Sequence, residues 1–261
     1  MGSRRLPTIL IAVAFFIVVV FSCIFAFTVS DVHADFWVSG EFDAETVQNK
    51  LDGYKGKNLI FFNAEEIKTE LEKDPAVEVI SIRKEFPNVL WVSVKERIES
   101  FRISQGGETL VLSEEGYVLK KSSVDDYSAD KLFDLTLNGI TITRATVGKK
   151  VKTDNDEIFY TLVEMANHID LTDTANGLTF TRREFNEAVF AMRTGVNIRL
   201  QVGREKNFGL DMISKAFDAY NGKLLNGEGR AMSDYEKFTS SIIVTRRADG
   251  SGINITWSEE V

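Results

Sequence analysis

The chain has 261 residues, 31 basic and 39 acidic side chains, a net charge of −8 and a single cysteine. That acidic balance argues against a nucleic-acid partner and against broad attraction to anionic lipid. One cysteine, Cys23, leaves no disulfide framework and no cysteine metal set, while an apolar fraction of 44% suffices for real cores.

After Arg4 and Arg5 comes an uncharged run. Leu6 to Phe27 reads LPTILIAVAFFIVVVFSCIFAF, in which 15 of 22 residues are Leu, Ile, Phe or Val, and the uncharged stretch continues to Ser30. About 20 apolar residues in a helix cross a hydrocarbon core of about 30 Å, and a helix satisfies its own backbone where water is absent. The run predicts a transmembrane helix over residues 6–30, behind a cytoplasmic tail of residues 1–5. Arg4 and Arg5 before it, with Asp31 and Asp35 after it, orient the chain with residues 31–261 outside. The run is too long for a cleaved signal peptide, whose apolar region is about 7–15 residues. Val20-Phe21-Ser22-Cys23 lacks the small residues of a lipoprotein box, and Leu6 stands where a myristoylation signal places Ser or Thr.

Phe36-Trp37-Val38 predicts a short strand ending at Ser39-Gly40. Asp43 caps a helix whose buried face is Ala44, Val47 and Leu51. Gly53 and Gly56 end it. Leu59 to Phe62 is apolar. Asn63 with Glu66 three residues on is a capping pattern for a second helix, striped by Ala64, Ile67 and Leu71 and stopped by Asp74-Pro75. Val77 to Phe86 reads as a strand, Phe86-Pro87-Asn88-Val89 as a turn, and Leu90, Val92 and Val94 alternate along a returning strand. Two helices on one face of a three-stranded sheet bury a small core.

The remainder is strand-rich. Phe101–Ser104, Leu110–Leu112 and Tyr117–Leu119 read as strands, and residues 121–131 as a polar loop. Ile158, Leu162, Met165 and Ile169 stripe a helix. A strand from Glu187 to Arg193 turns at Thr194-Gly195 into Val196, Ile198, Leu200 and Val202, which alternate with polar residues. Leu210, Ile213, Phe217 and Leu224 stripe another helix. A polar loop from Asn226 to Ser240 precedes a terminal hairpin, Ile242–Arg246 and Ile253–Trp257, around Asp249-Gly250.

No catalytic constellation stands out. The two histidines, His33 and His168, are far apart and lack nucleophile or metal-ligand partners at useful spacing. No Gly-x-Ser-x-Gly or phosphate loop occurs. Glu65-Glu66, Asp125-Asp126 and Glu259-Glu260 are adjacent acids of the kind that mark solvated turns, and Arg182-Arg183 and Arg246-Arg247 suit either a solvated strand face or an acidic partner. The expectation is a non-enzyme with no cofactor, no metal and no small-molecule substrate.

Several short signals in fixed order carry a resemblance. They are Val38-Ser39-Gly40, Lys57-Asn58-Leu59, Leu71-Glu72-Lys73-Asp74-Pro75-Ala76-Val77, Phe86-Pro87-Asn88, Val92-Ser93-Val94-Lys95-Glu96-Arg97 and Leu112-Ser113-Glu114-Glu115-Gly116-Tyr117-Val118-Leu119. In this order behind an anchor they resemble the bacterial cell-division family FtsQ/DivIB, although Val244-Thr245-Arg246 replaces that family's usual Asp-Leu-Arg. The resemblance implies an α+β fold, with a POTRA domain at residues 31–98 and a mixed β-domain at 99–261. It implies a bitopic divisome scaffold at the septum that binds the small anchored coiled-coil proteins FtsL and FtsB/DivIC and helps control septal peptidoglycan synthesis, with the bilayer contacted through residues 6–30. It points to the last strand as the partner site: Ile253, Asn254, Ile255, Thr256 and Trp257. Alternation puts Ile253, Ile255 and Trp257 on one face of that strand and Asn254 and Thr256 on the other. Two other classes fit parts of the sequence, a membrane-anchored cell-wall hydrolase using carboxylates and an envelope sensor or transport adaptor with a POTRA-like module.

Overall fold

The computed structural model describes residues 5–37, 43–123, 132–168, 175–224, 240–246 and 252–259. It is a mixed α+β structure in two compact units, Met1–Ile98 and Glu99–Val261.

The first unit begins with helix α1, Arg5–Ala26, and continues through β1 (Asp31–Trp37), α2 (Ala44–Asp52), α3 (Ala64–Leu71), β2 (Val77–Glu85) and β3 (Val89–Glu96). Its sheet runs β1-β3-β2, with β1 parallel and β2 antiparallel to β3. Asp43 accepts from the Thr46 N–H at 2.9 Å, and Asn63 from the Glu65 N–H at 3.0 Å, which satisfies donors that each helix start leaves open. Val47, Leu51, Ile67 and Leu71 then meet Val77, Leu90, Val92 and Val94 in one core.

The sequence predicted the first strand at Phe36–Val38, but pairing starts five residues earlier, at Asp31↔Val89. The cause is alternation directly behind the anchor. Val32, Ala34 and Phe36 turn to the core while Asp31, His33 and Asp35 stay exposed. Val38-Ser39-Gly40 lies outside the described residues.

The exit from α1 is built tightly. The Ile24 carbonyl accepts from both Thr28 Oγ1 (3.0 Å) and Asn58 Nδ2 (2.9 Å), and the Phe27 carbonyl accepts from the Leu59 N–H at 2.6 Å. At the other end of the unit Arg97 is buried. It donates through Nη1 to the carbonyls of Val77 (2.6 Å) and Pro75 (3.3 Å), and Nη2 lies 3.7 Å from Glu72. A buried guanidinium needs such acceptors around it.

The second unit holds a nine-stranded sheet in the order β14-β13-β12-β11-β10-β7-β4-β5-β6. Its strands are β4 (Glu99–Gln105), β5 (Glu108–Ser113), β6 (Val118–Ser123), β7 (Phe133–Asn138), β10 (Ala175–Arg182), β11 (Phe185–Met192), β12 (Asn197–Gly203), β13 (Ser240–Arg246) and β14 (Ile253–Glu259). A small hairpin, β8 (Ile142–Arg144) and β9 (Lys152–Thr153), precedes α4 (Asp156–His168), and α5 is Leu210–Leu224. Three joints are parallel: β4 with β7, β7 with β10, and β12 with β13. The chain passes through α4 on the way from β7 to β10, and through α5 from β12 to β13, so the two helices serve as crossovers. Their apolar sides, Phe159, Leu162 and Met165 on α4 and Met212, Ile213 and Ala216 on α5, join Phe180, Phe190, Ile198, Leu200 and Val244 in a single core.

The predicted loop at 121–131 is corrected at its start. Lys121–Ser123 extend β6, because Lys121 meets Glu108 across the strand pair at 2.7 Å and Ser122 sits opposite Thr109. Residues 124–131 lie outside the described residues, as do Ile169, residues 226–239 of the second predicted loop, and the Asp249-Gly250 turn.

Candidate partner-binding edge

β14 has its position from β13 alone among the described strands. The two pair antiparallel, with Ile242 opposite Trp257, Val244 opposite Ile255 and Arg246 opposite Ile253. These three pairs share the face turned toward α5, and Ile253 and Trp257 pack partly buried against the core. Ile255 lies between them yet stays 39% exposed. Asn254 and Thr256 project from the opposite face and are exposed. The structure therefore brings all five residues into one strand and splits them by side, with Trp257 seated more deeply than Ile255.

The first turn of α5 braces this edge. Arg246 Nη2 donates to Asp211 Oδ1 at 2.7 Å, beside the Arg246–Ile253 pair. Gly209 leaves room for that ion pair: a Cβ there would sit 2.6 Å from Arg246 Nη2 and 2.3 Å from Asp211 Oδ1. Neither Gly209 nor Asp211 could be found from sequence, since the partner they serve is 35 residues away. From Ile253 to Ser258 the edge carries no charge. It is a rim of apolar side chains with a polar outer face, which is what an added strand pairs with: main-chain hydrogen bonds supply affinity and alternate side chains supply selectivity.

Arg4 lies outside the described residues, and Arg5 is the first residue of α1. Residues Ile9–Ala26 form a stretch long and apolar enough to cross a membrane.

Among the described residues, no three His, Cys, Asp or Glu side chains gather as a metal set. His33 stacks on Trp91 with ring centroids 4.4 Å apart, and His168 Nε2 lies 3.0 Å from Ser214 Oγ. A cavity of about 400 Å³ lies on β10–β12, lined by Thr179, Thr181, Phe185, Glu187, Val189 and Arg199. Its lining holds a close charge pair, Arg199 with Glu187 at 3.3 Å, on adjacent strands. Tyr160 has its phenol pushed up to about 12, first by burial and then by Asp156 and Tyr117; it donates to the Val151 carbonyl at 2.7 Å, an internal tie.

Comparison with known proteins gives these features a family context. A POTRA domain of the FtsQ type matches residues 40–97. The cell division protein DivIB of Clostridium acetobutylicum is 25% identical over 128 residues, covering 49% of this chain and 48% of that protein. The cell division protein DivIB of Clostridium botulinum is 20% identical over 172 residues, covering 59% of this chain and 66% of that protein. The chain thus spans about half the length of the first relative and just under two thirds of the second. Strand β1 precedes the matched stretch yet completes its sheet. The chain carries an FtsQ-type POTRA domain behind an apolar helix that fits a single-pass anchor, and it is homologous to the DivIB cell division proteins.

Proposed function

We propose that this protein is a bitopic, non-enzymatic component of the bacterial division machinery, and that the β14 edge is where it takes a partner. In this reading residues 1–5 are a cytoplasmic tail, 6–30 the membrane span, 31–98 the POTRA domain and 99–261 the β-domain. Arg4 and Arg5 hold the tail inside, and the body stands outside, concentrated at the septum. A strand from a small membrane-anchored coiled-coil protein of the FtsL or FtsB/DivIC type extends the nine-stranded sheet beyond β14. The complex then helps control septal peptidoglycan synthesis. The observation that supports this most is the uncharged apolar rim Ile253–Trp257 at the open end of the sheet, in a chain homologous to division proteins.

Two measurements test it. A phosphatase active only outside the cytoplasm, fused after Val261, should be active; activity of a cytoplasmic reporter there would reverse the topology. Depletion of the protein should give filamentous or unseparated cells under the microscope, and normal septation on depletion removes the division role.

A further inference from the structure

We propose that the membrane-proximal end of the POTRA domain is itself a lipid-contacting surface, a foot that rests in the interface of the bilayer around the exit of α1. It consists of the turn Asn58–Phe62, the last two residues of β2, Lys84 and Glu85, and Phe86 just beyond them.

Geometry fixes the level of this surface. Helix α1 has 22 residues, about 33 Å at about 1.5 Å per residue, which just spans a hydrocarbon core of about 30 Å. Its last turn therefore lies at the boundary between acyl chains and headgroups. Asn58 Nδ2 is bonded to the carbonyl of Ile24, within that last turn, and the Leu59 N–H is bonded to the carbonyl of Phe27, just beyond it. A loop hydrogen-bonded to the end of a spanning helix is held at the helix end's own depth. The double satisfaction of the Ile24 carbonyl, by Thr28 Oγ1 and Asn58 Nδ2, is what a carbonyl near hydrocarbon requires, since no water completes it there.

The side chains displayed at this level are apolar. Phe61 is 77% exposed, Phe86 58% and Ile60 45%. In water three large exposed apolar groups close to one point are unfavourable, and burying them in lipid removes that apolar surface from water. They are also held firmly. The N–H groups of Phe61 and Phe62 both reach the Asn58 carbonyl at 3.2 Å, the Ile60 N–H reaches Asn58 Oδ1 at 2.9 Å, and Phe86 packs edge-on against Phe27 with centroids 5.7 Å apart. Lys84 ties the two parts together by donating to the Phe62 carbonyl at 2.8 Å, and its ammonium stands 4.4 Å from the Phe62 ring centroid. Lys57 stands likewise 4.1 Å from the Tyr54 ring centroid. Aromatic rings beside lysine ammonium groups suit the headgroup level, where the ring is buried and the cation meets phosphate. Asn58, bonded to the Ile24 carbonyl and to the Ile60 N–H, is the residue that sets the depth of the foot.

The test uses the full chain in lipid nanodiscs made with phosphatidylethanolamine and phosphatidylglycerol. In a Cys23→Ser background, single substitutions Phe61→Cys, Ile60→Cys, Trp37→Cys and Ile17→Cys carry an environment-sensitive nitrobenzoxadiazole label. Trp37 is as exposed as Phe61 but lies at the far end of β1, about 20 Å along the strand from its start. Ile17 lies inside the span and serves as the depth reference. Quenching by lipids with a doxyl group near the headgroup should be at least about threefold stronger at 61 and 60 than at 37, with blue-shifted emission at both. Labels at 61 and 60 that are quenched no more than the label at 37, beside a quenched label at 17, overturn the foot while leaving the span intact. A label at 17 that also reads as water-exposed overturns both. Every labelled position in the POTRA domain is surface-exposed, so the substitutions strip no core contact.

Discussion

The nine-stranded sheet ends differently on its two sides. At one end β6 shows Lys120 and Lys121, each facing a carboxylate across the strand or beside it, Glu99 at 2.5 Å and Glu108 at 2.7 Å. At the other end β14 shows Ile253, Ile255 and Trp257 toward the core side and Asn254 and Thr256 outward, with no charge between Ile253 and Ser258. Charged side chains on an edge strand deter a further strand, because pairing would strip them of water; an uncharged apolar edge carries no such penalty. Both edges belong to one sheet, but β6 is also covered along its backbone at its start, where the Val118 N–H donates to the Lys149 carbonyl at 3.0 Å and the Gly148 N–H to the Val118 carbonyl at 2.8 Å, so the difference lies in charge and in backbone cover. It teaches that protection was applied to one edge and withheld from the other.

The sharpest way to break this contrast is proline. Ile255→Pro removes an N–H and distorts the strand, and it should abolish capture of the proposed coiled-coil partner, whereas Lys121→Pro on β6 should leave capture unchanged. Equal losses from both would mean that the effect is unfolding and not the edge. Trp257→Ala should act next most strongly. Trp257 is partly buried on the core, so its loss should lower the thermal midpoint of the second unit by about 2–4 °C, taking about 1 kcal/mol for a domain of this size. Measured well below that midpoint, capture should still fall at least about tenfold, since aromatic anchors dominate such interfaces. Full capture with the lowered midpoint would make Trp257 a core residue only.

Tyr160→Phe is the smallest change and calibrates the others, because it lies on α4 rather than on either edge. The folded protein holds the phenol neutral and raises its pKa from 10.0 to about 12, through burial first and then Asp156 and Tyr117. The hydrogen bond from Tyr160 to the Val151 carbonyl contributes about 1 kcal/mol, fully present below pH 10 and lost as the pH climbs through about 12. Wild type should therefore unfold above Tyr160→Phe by a few degrees at pH 8, with the gap closing towards pH 12 and partner capture unaffected throughout. A gap that is constant with pH would exclude the phenol as its source.

Legibility from sequence follows the distance over which each element is decided. The alternation of Leu90, Val92 and Val94, the Asn63 cap and the stripe Ile158, Leu162 and Met165 are local patterns, and the structure shows each as an element. Strands β7 and β10 were not legible. Phe133–Asn138 is short and pairs in parallel on both sides, with partners far along the chain. In Ala175–Arg182 the glycine at 177 reads like a turn, but it is there for close approach, because a Cβ would meet the Asp134 carbonyl oxygen at 2.8 Å. The alternation within the candidate edge could be read directly from Ile253 to Trp257. That β14 ends the sheet could not, since strand order depends on the three parallel joints; the family resemblance suggested the edge instead.

Strand β1 has one consequence in mechanics. The chain leaves α1 at Ala26, enters β1 at Asp31, and continues onward from the far end of the parallel strand β3 through Arg97 and Ile98. Tension between the anchored end and the residues beyond 98 pulls the two strands along their axes in opposite directions. The whole ladder from Asp31↔Val89 to Trp37↔Lys95 is then strained at once, in shear, and cannot be opened one rung at a time like a zipper. Arg97, clamped on the carbonyls of Val77 and Pro75, sits where that tension leaves the sheet. A pull between α1 and the residues beyond 98 is therefore met by the whole ladder acting together.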